Sequence, residues 1–283
     1  MPKWNGVVKC LGAILLLWPI WGQAELIRLT SPSNLLVTAQ YHQGQSGYPA
    51  ILLLHGFLQT RDTPPMSELG QSLADAGYTV LMPTLSLGYE GRSQSLDCAA
   101  VHKHTLNEDI AELDLWTKWL HTRLNLPVIL IGHSNGGAII LNYIANHPDK
   151  NVQGAILTSL VPMKISRDEF RRAQHENKKN TLHEYSLSYC QHSYISTVAG
   201  YLSYASLDAT KMLAKLRRSK VPVQIIIGGD DQVFMVGWGK KLVHYFPSTI
   251  VIPQASHFFA DGAEFLLFDR VQDILRKWRS SPR

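Results

Sequence analysis

The chain has 283 residues, 45% of them hydrophobic and 17% charged, with a formal net charge of +5. That is enough for one large α/β domain with a full core and an insertion, and the chain contains no 20–50-residue repeat and no low-complexity tract. The small positive excess does not mark a nucleic-acid binder.

The first segment reads as a targeting sequence, residues 1–24. Lys3 and Lys9 precede or enter an apolar run, Leu11 to Trp21, that ends in Gly22-Gln23-Ala24. Small residues at 22 and 24 fit a signal-peptidase site, and the run is short for a membrane span. Cleavage near Ala24 would leave an exported chain, periplasmic or secreted, with net charge +3; the alternative is an uncleaved anchor. Val8-Lys9 before Cys10 is a poor match to a lipoprotein signal.

Two short strands are predicted at 26–30 and 35–40, joined by a turn at Ser31-Pro32-Ser33-Asn34. Ala50 to Leu54 is continuously apolar, as in a strand of a parallel sheet buried on both faces, and it ends at His55-Gly56. Pro64 and Pro65 open a helix to Ala76, which Gly77 stops. Tyr78 to Met82 is a strand, and a long loop runs from Pro83 to Thr105. Asn107 is the predicted cap of a helix to Leu124, with Asp109 and Glu112 near its start and Arg123 near its end, as the helix dipole favours. Strands are predicted again at 127–131, 152–158, 221–227 and 249–252, and a helix from Ala263 to Trp278 closes the chain. The alternation implies a parallel sheet covered on both faces. Residues 162–220 interrupt it. This stretch is tyrosine-rich and carries 11 Lys/Arg against 5 Asp/Glu. It reads as a helical cap inserted between the two parts of a core, 25–161 and 221–283; the alternative is two crossover helices with a long polar loop. The basic excess fits a solvated helix face, or a surface that steers anionic substrates or meets anionic lipid in peripheral membrane contact. Tyr185, Tyr189, Tyr194, Tyr201 and Tyr204 either line an acyl pocket or pack the cap onto the core.

Chemistry concentrates at the strand ends. Gly132-His133-Ser134-Asn135-Gly136 follows an apolar strand and precedes a helix, the pattern of a nucleophile elbow. The turn lifts one hydroxyl clear of the sheet at the cost of backbone strain, and a Cβ at either flanking glycine would collide with a neighbouring strand or helix. Ser134 is the candidate nucleophile. His257 follows the last strand, at the carboxyl edge where open α/β sheets hold their sites, and is the candidate base. The orienting acid is Asp231 or Asp230, with Asp231 favoured by the spacing Gly228-x-x-Asp231-x-Val233. The backbone amides of Phe57 and Asn135 are the candidate oxyanion hole. Such a set attacks ester or amide carbonyls.

These motifs, with Gly-Tyr-Glu-Gly-Arg-Ser at 88–93, resemble the α/β-hydrolase superfamily across about residues 26–280. The resemblance implies an eight-stranded, mostly parallel sheet with helices on both faces and a cap over the site. It leaves the substrate open. A serine carboxylic-ester hydrolase working through an acyl-enzyme on a small molecule is the expected function, with no cofactor. A peptidase or amidase with the same triad, or a non-catalytic binding protein on this scaffold, are the alternatives. The sequence does not define the oligomeric state.

Cys98, His102 and His104, with Cys190 and His192, have spacings that zinc could use. In an exported protein a Cys98–Cys190 disulfide is the simpler expectation, with free thiols the remaining alternative.

Overall fold

The computed structural model describes Met1 and residues 24–146, 150–231 and 237–280; the predicted targeting segment lies outside the described residues. The chain opens with β1 (Glu25–Thr30) and β2 (Leu36–His42), followed by β3 (Ala50–Leu54), α1 (Met66–Asp75) and β4 (Thr79–Thr84). Next come α2 (Leu106–Leu124), β5 (Val128–His133), α3 (Asn135–Asn146) and β6 (Val152–Thr158). An insertion of α4 (Arg167–His175), β7 (Leu182–Leu187), β8 (Cys190–Thr197), α5 (Val198–Ala205) and α6 (Ala209–Arg218) precedes β9 (Val223–Gly228). The chain then continues through α7 (Trp238–Tyr245), β10 (Ile250–Ile252) and α8 (Ala263–Ser280).

Eight strands form one sheet in the order β1-β2-β4-β3-β5-β6-β9-β10. Pairing is antiparallel for β1·β2 and β2·β4 and parallel from β4 to β10. The continuous apolar strands follow from burial on both faces. Leu52, Leu54, Leu130, Leu157 and Ile227 enter the core on one side of the sheet, while Ile51, Leu53, Ile131, Ile156 and Ile226 enter the core on the other. Among the described residues no helix is long and apolar enough to cross a membrane.

One local expectation is corrected. Thr105, not Asn107, caps α2: its side chain accepts from Glu108 N, and Glu108 Oε2 accepts from Thr105 N at 2.7 Å, a complete capping box. Asp109 lies in the first turn of α2, as expected, and both it and Glu112 are buried. Glu112 accepts from Ser86 N at 2.9 Å and from the Ser86 hydroxyl, and Asp109 accepts from the Tyr204 hydroxyl.

The insertion is not purely helical. β7 and β8 form an antiparallel hairpin, and His102 of the long loop joins it as a third, parallel element: His102 N donates to Ile195 O at 2.8 Å, and Ser196 Oγ donates to His102 O at 2.8 Å. Cys98 and Cys190 are disulfide-bonded, which ties the same loop to the hairpin. His102 and His104 are therefore interior residues rather than polar surface: His102 stacks on Tyr194 with centroids 4.2 Å apart, and His104 Nε2 lies 3.1 Å from the Tyr204 hydroxyl. Among the described residues no group of three or more His, Cys, Asp or Glu is arranged to hold a metal. Tyr185, Tyr194, Tyr201 and Tyr204 are buried, so four of the five cap tyrosines pack the insertion onto the core. Its basic side chains are mostly exposed, as a solvated face requires.

Candidate active site

The carboxyl ends of β3, β5, β6, β9 and β10 converge on one edge of the sheet, and each contributes a polar group. At the end of β5 the backbone turns through Ser134 with φ +53°, in the left-handed region that non-glycine residues seldom adopt. Ser134 N donates to Thr158 O at 2.8 Å and its carbonyl accepts from Ala138 N at 3.2 Å, which holds the turn between β6 and the first turn of α3. The tight approach explains the flanking glycine: a Cβ on Gly136 would lie 2.4 Å from His55 O and 2.6 Å from Leu54 O, both main-chain atoms that cannot yield. Asn135 is the first residue of α3, so its N–H has no carbonyl one turn back within the helix.

His257 lies on the loop after β10. Its Nδ1 is 2.5 Å from Asp231 Oδ2, and both side chains are almost wholly buried. Asp230, the competing carboxylate, is exposed, and its N–H donates to Ala255 O at 3.0 Å. The two loops meet because Gly228 has no side chain; a Cβ there would come within 2.4 Å of Ala255 O. Ser134 and His257 line one narrow cleft of about 20 Å³, whose walls include Phe57, Tyr189 and Phe258.

Several supporting residues escaped the sequence reading. Ser159, directly after β6, donates from Oγ to His257 O at 2.8 Å and so pins the histidine loop. The side chain of His133, inside the elbow motif, is buried with its ring 5.0 Å from that of His257; burial, and then the neighbouring His257, hold its pKa well below the usual value. Behind Phe57 lies a buried polar brace. His55 Nε2 accepts from Leu85 N at 3.1 Å and faces Arg92 Nη2 at 3.3 Å. Both partners can only donate, so the proton sits on Nδ1, which donates to Gly56 O at 2.9 Å. Gln59 N also donates to Gly56 O, at 3.3 Å. In a trans peptide the N–H opposes the carbonyl, so this grip leaves Phe57 N–H pointing away from His55 and Gln59. Arg92 is fixed in turn by Leu85 O at 2.7 Å, Gln59 O at 2.8 Å and Gln94 O at 2.9 Å.

Substituting Arg92 should therefore act through the peptide it braces. With Phe57 N–H as a candidate oxyanion donor, Arg92→Lys, which cannot span the same carbonyls, should lower kcat by about tenfold to a hundredfold with KM little changed, a part of the loss expected on removing such a donor outright. Steady-state kinetics check this; a rise in KM at constant kcat would refute it.

Burial, with the Arg92 charge second, pushes the pKa of His55 down to about 3. Burial also takes His102 to about 4 and His104, with His102 second, to about 3. A histidine that stays neutral in the folded chain gives no pH dependence above its unfolded pKa near 6.5. Below that, the unfolded chain gains a proton the folded chain refuses, and stability falls by about 1.4 kcal/mol per pH unit for each such group. Asp109 and Glu112 oppose this, because burial raises both carboxyls and the folded chain protonates them first. Four histidines, His133 included, outweigh two carboxyls. Urea midpoints should fall steadily from pH 6.5 to pH 4.5, and a flat profile would contradict the assignment.

Residues 49–185 match the family model described as alpha/beta hydrolase fold. No curated protein matches the sequence. Solved structures share the architecture at low identity. An alpha/beta hydrolase, GrgF from Penicillium sp. sh18, superimposes with TM-score 0.71 at 15% identity, over 92% of this chain and 100% of that one. Est1E from Butyrivibrio proteoclasticus does so with TM-score 0.65 at 13% identity, over 92% and 100%. An esterase of Pyrococcus furiosus gives TM-score 0.63 at 16% identity, over 91% and 92%.

Proposed function

This chain has the α/β-hydrolase fold, and from that premise we propose that it is a serine hydrolase cleaving carboxylic esters through an acyl-enzyme. The observation that carries the reading is the shared cleft of Ser134 and His257, with Asp231 Oδ2 2.5 Å from His257 Nδ1. Asp231 holds the imidazole with its proton on Nδ1, which makes Nε2 the ring nitrogen that takes the proton of Ser134. Ser134 Oγ attacks the ester carbonyl, and the negative charge on the carbonyl oxygen is met by Phe57 N–H and Asn135 N–H, at the N-terminus of α3. His257 passes its proton to the leaving alcohol, then takes one from water as that water attacks the acyl-enzyme. The esterase among the proteins that share the fold supports the ester class. The disulfide supports export to an oxidising compartment, where the mature chain would begin near Glu25.

Incubation with a fluorophosphonate, followed by peptide mass mapping, tests the mechanism. A single phosphonyl adduct on Ser134, formed in step with loss of p-nitrophenyl acetate hydrolysis, is the expected result. Labelling elsewhere, or turnover that survives stoichiometric labelling, would refute it.

A further inference from the structure

Resting on the serine-hydrolase reading, the inference concerns which esters the site takes. The cleft at Ser134 holds about 20 Å³. Pockets that bury drug-sized ligands run to roughly 300–1,000 Å³. Such a cleft accommodates a very small group beside the reacting carbon.

One wall is the turn of the β7–β8 hairpin. Ser188, with φ +58°, and Tyr189 line the cleft together with His257 and Phe258. Tyr189 packs edge-on against Phe57 with centroids 5.6 Å apart, and its hydroxyl donates to Phe57 O at 3.4 Å. A tetrahedral intermediate has four directions to fill. One is Ser134 Oγ, one is the oxyanion toward the amides, and the leaving oxygen must face His257 to be protonated. The acyl substituent takes the remaining direction, among the other walls of the cleft, of which Tyr189 is one.

The tip is not a free loop. Cys190, next in sequence to Tyr189, is bonded to Cys98, and the loop bearing Cys98 is fastened to the oxyanion strand end by Leu96 N donating to Leu58 O at 2.9 Å. Phe57 and Tyr189 are thus held against each other by a covalent link on one side and a main-chain hydrogen bond on the other. We propose that Tyr189, pinned by the Cys98–Cys190 disulfide, is the specificity-determining residue that limits this protein to esters of short acyl chains.

The ring is 49% exposed, so truncating it costs the fold little. The experiment measures kcat/KM for p-nitrophenyl acetate, butyrate, octanoate and palmitate with the wild type, Tyr189→Ala, Tyr189→Phe and the double variant Cys98→Ser/Cys190→Ser. The wild type should prefer acetate or butyrate over octanoate by at least thirtyfold. Tyr189→Ala should raise the octanoate-to-acetate ratio at least tenfold, whereas Tyr189→Phe, which keeps the ring, should hold the wild-type ratio. The double serine variant should move the ratio in the direction of Tyr189→Ala. A wild type that prefers octanoate or palmitate, or a ratio unmoved by Tyr189→Ala, overturns the proposal and leaves the hydrolase reading intact. Absence of Ser134-dependent turnover with every ester, in wild type and Tyr189→Ala alike, overturns both.

Discussion

Ser134→Ala is expected to lower kcat toward esters by about 10⁶-fold, the loss seen when the nucleophile of a comparable triad is removed. The size of the effect comes from the geometry at the elbow. Within the elbow, Ser134 is the residue lifted above the sheet, at φ +53°, while its neighbours His133 and Asn135 continue into β5 and α3. Alanine pays the same backbone strain as serine in that conformation, and the hydrogen bonds of the turn are main-chain ones. The variant should therefore fold as the wild type does, with Tm changed by no more than about 3 °C, equivalent to roughly 1 kcal/mol for a chain of this size. Activity within a factor of ten of the wild type, in a folded variant, would remove Ser134 from the mechanism.

Asp231→Asn should cost about 10⁴ in kcat, the penalty for holding the catalytic imidazole in the wrong tautomer. At 2.5 Å the carboxylate accepts the Nδ1 proton of His257. An asparagine turned to donate its amide there would require Nδ1 to be the acceptor, placing the imidazole proton on Nε2, where it would face Ser134 as a donor and could not accept the serine proton. Asp230→Asn makes the control. That side chain is exposed, and its main-chain N–H is tied to Ala255 O, so its replacement should leave kcat within about twofold, as surface substitutions do. Equal losses in the two variants would contradict the assignment of Asp231.

How far these features are legible in the sequence depends on whether their cause is local. The central strands are legible because burial on both faces forces unbroken apolar runs such as Ile51-Leu52-Leu53-Leu54. The elbow is legible because Gly132 and Gly136 answer to contacts within a few residues of Ser134 or with the adjoining strand. The cap of α2 was legible too: Thr105 and Glu108 have the spacing of a capping box, and Asn107 competed with it only by residue type. The β7–β8 hairpin was not legible, since Leu182-His183-Glu184-Tyr185-Ser186-Leu187 has the polar composition of a surface helix and becomes a ribbon only by pairing with Cys190–Thr197. The interior places of Arg92, His102 and His104 are not legible for the same reason. A charged or polar residue in a loop reads as solvated until distant carbonyls, rings and strands close around it. Ser159 carries no motif of its own; its role appears only when the loop after β10 is laid across the end of β6.

The bond between Cys98 and Cys190 spans a sequence separation of 92 residues, and that interval contains α2, β5, the elbow, α3, β6, α4 and β7. The cysteine that emerges first from the ribosome must therefore wait, as a thiol, until nearly the whole central sheet and half of the insertion have been made. Pairing is geometrically meaningful only once His102 has joined the hairpin beside β8. Closure thus reports that the loop and the hairpin have met. A chain whose elbow or hairpin is misplaced leaves two thiols too far apart to join, and a thiol-reactive reagent would single out such chains from the finished protein.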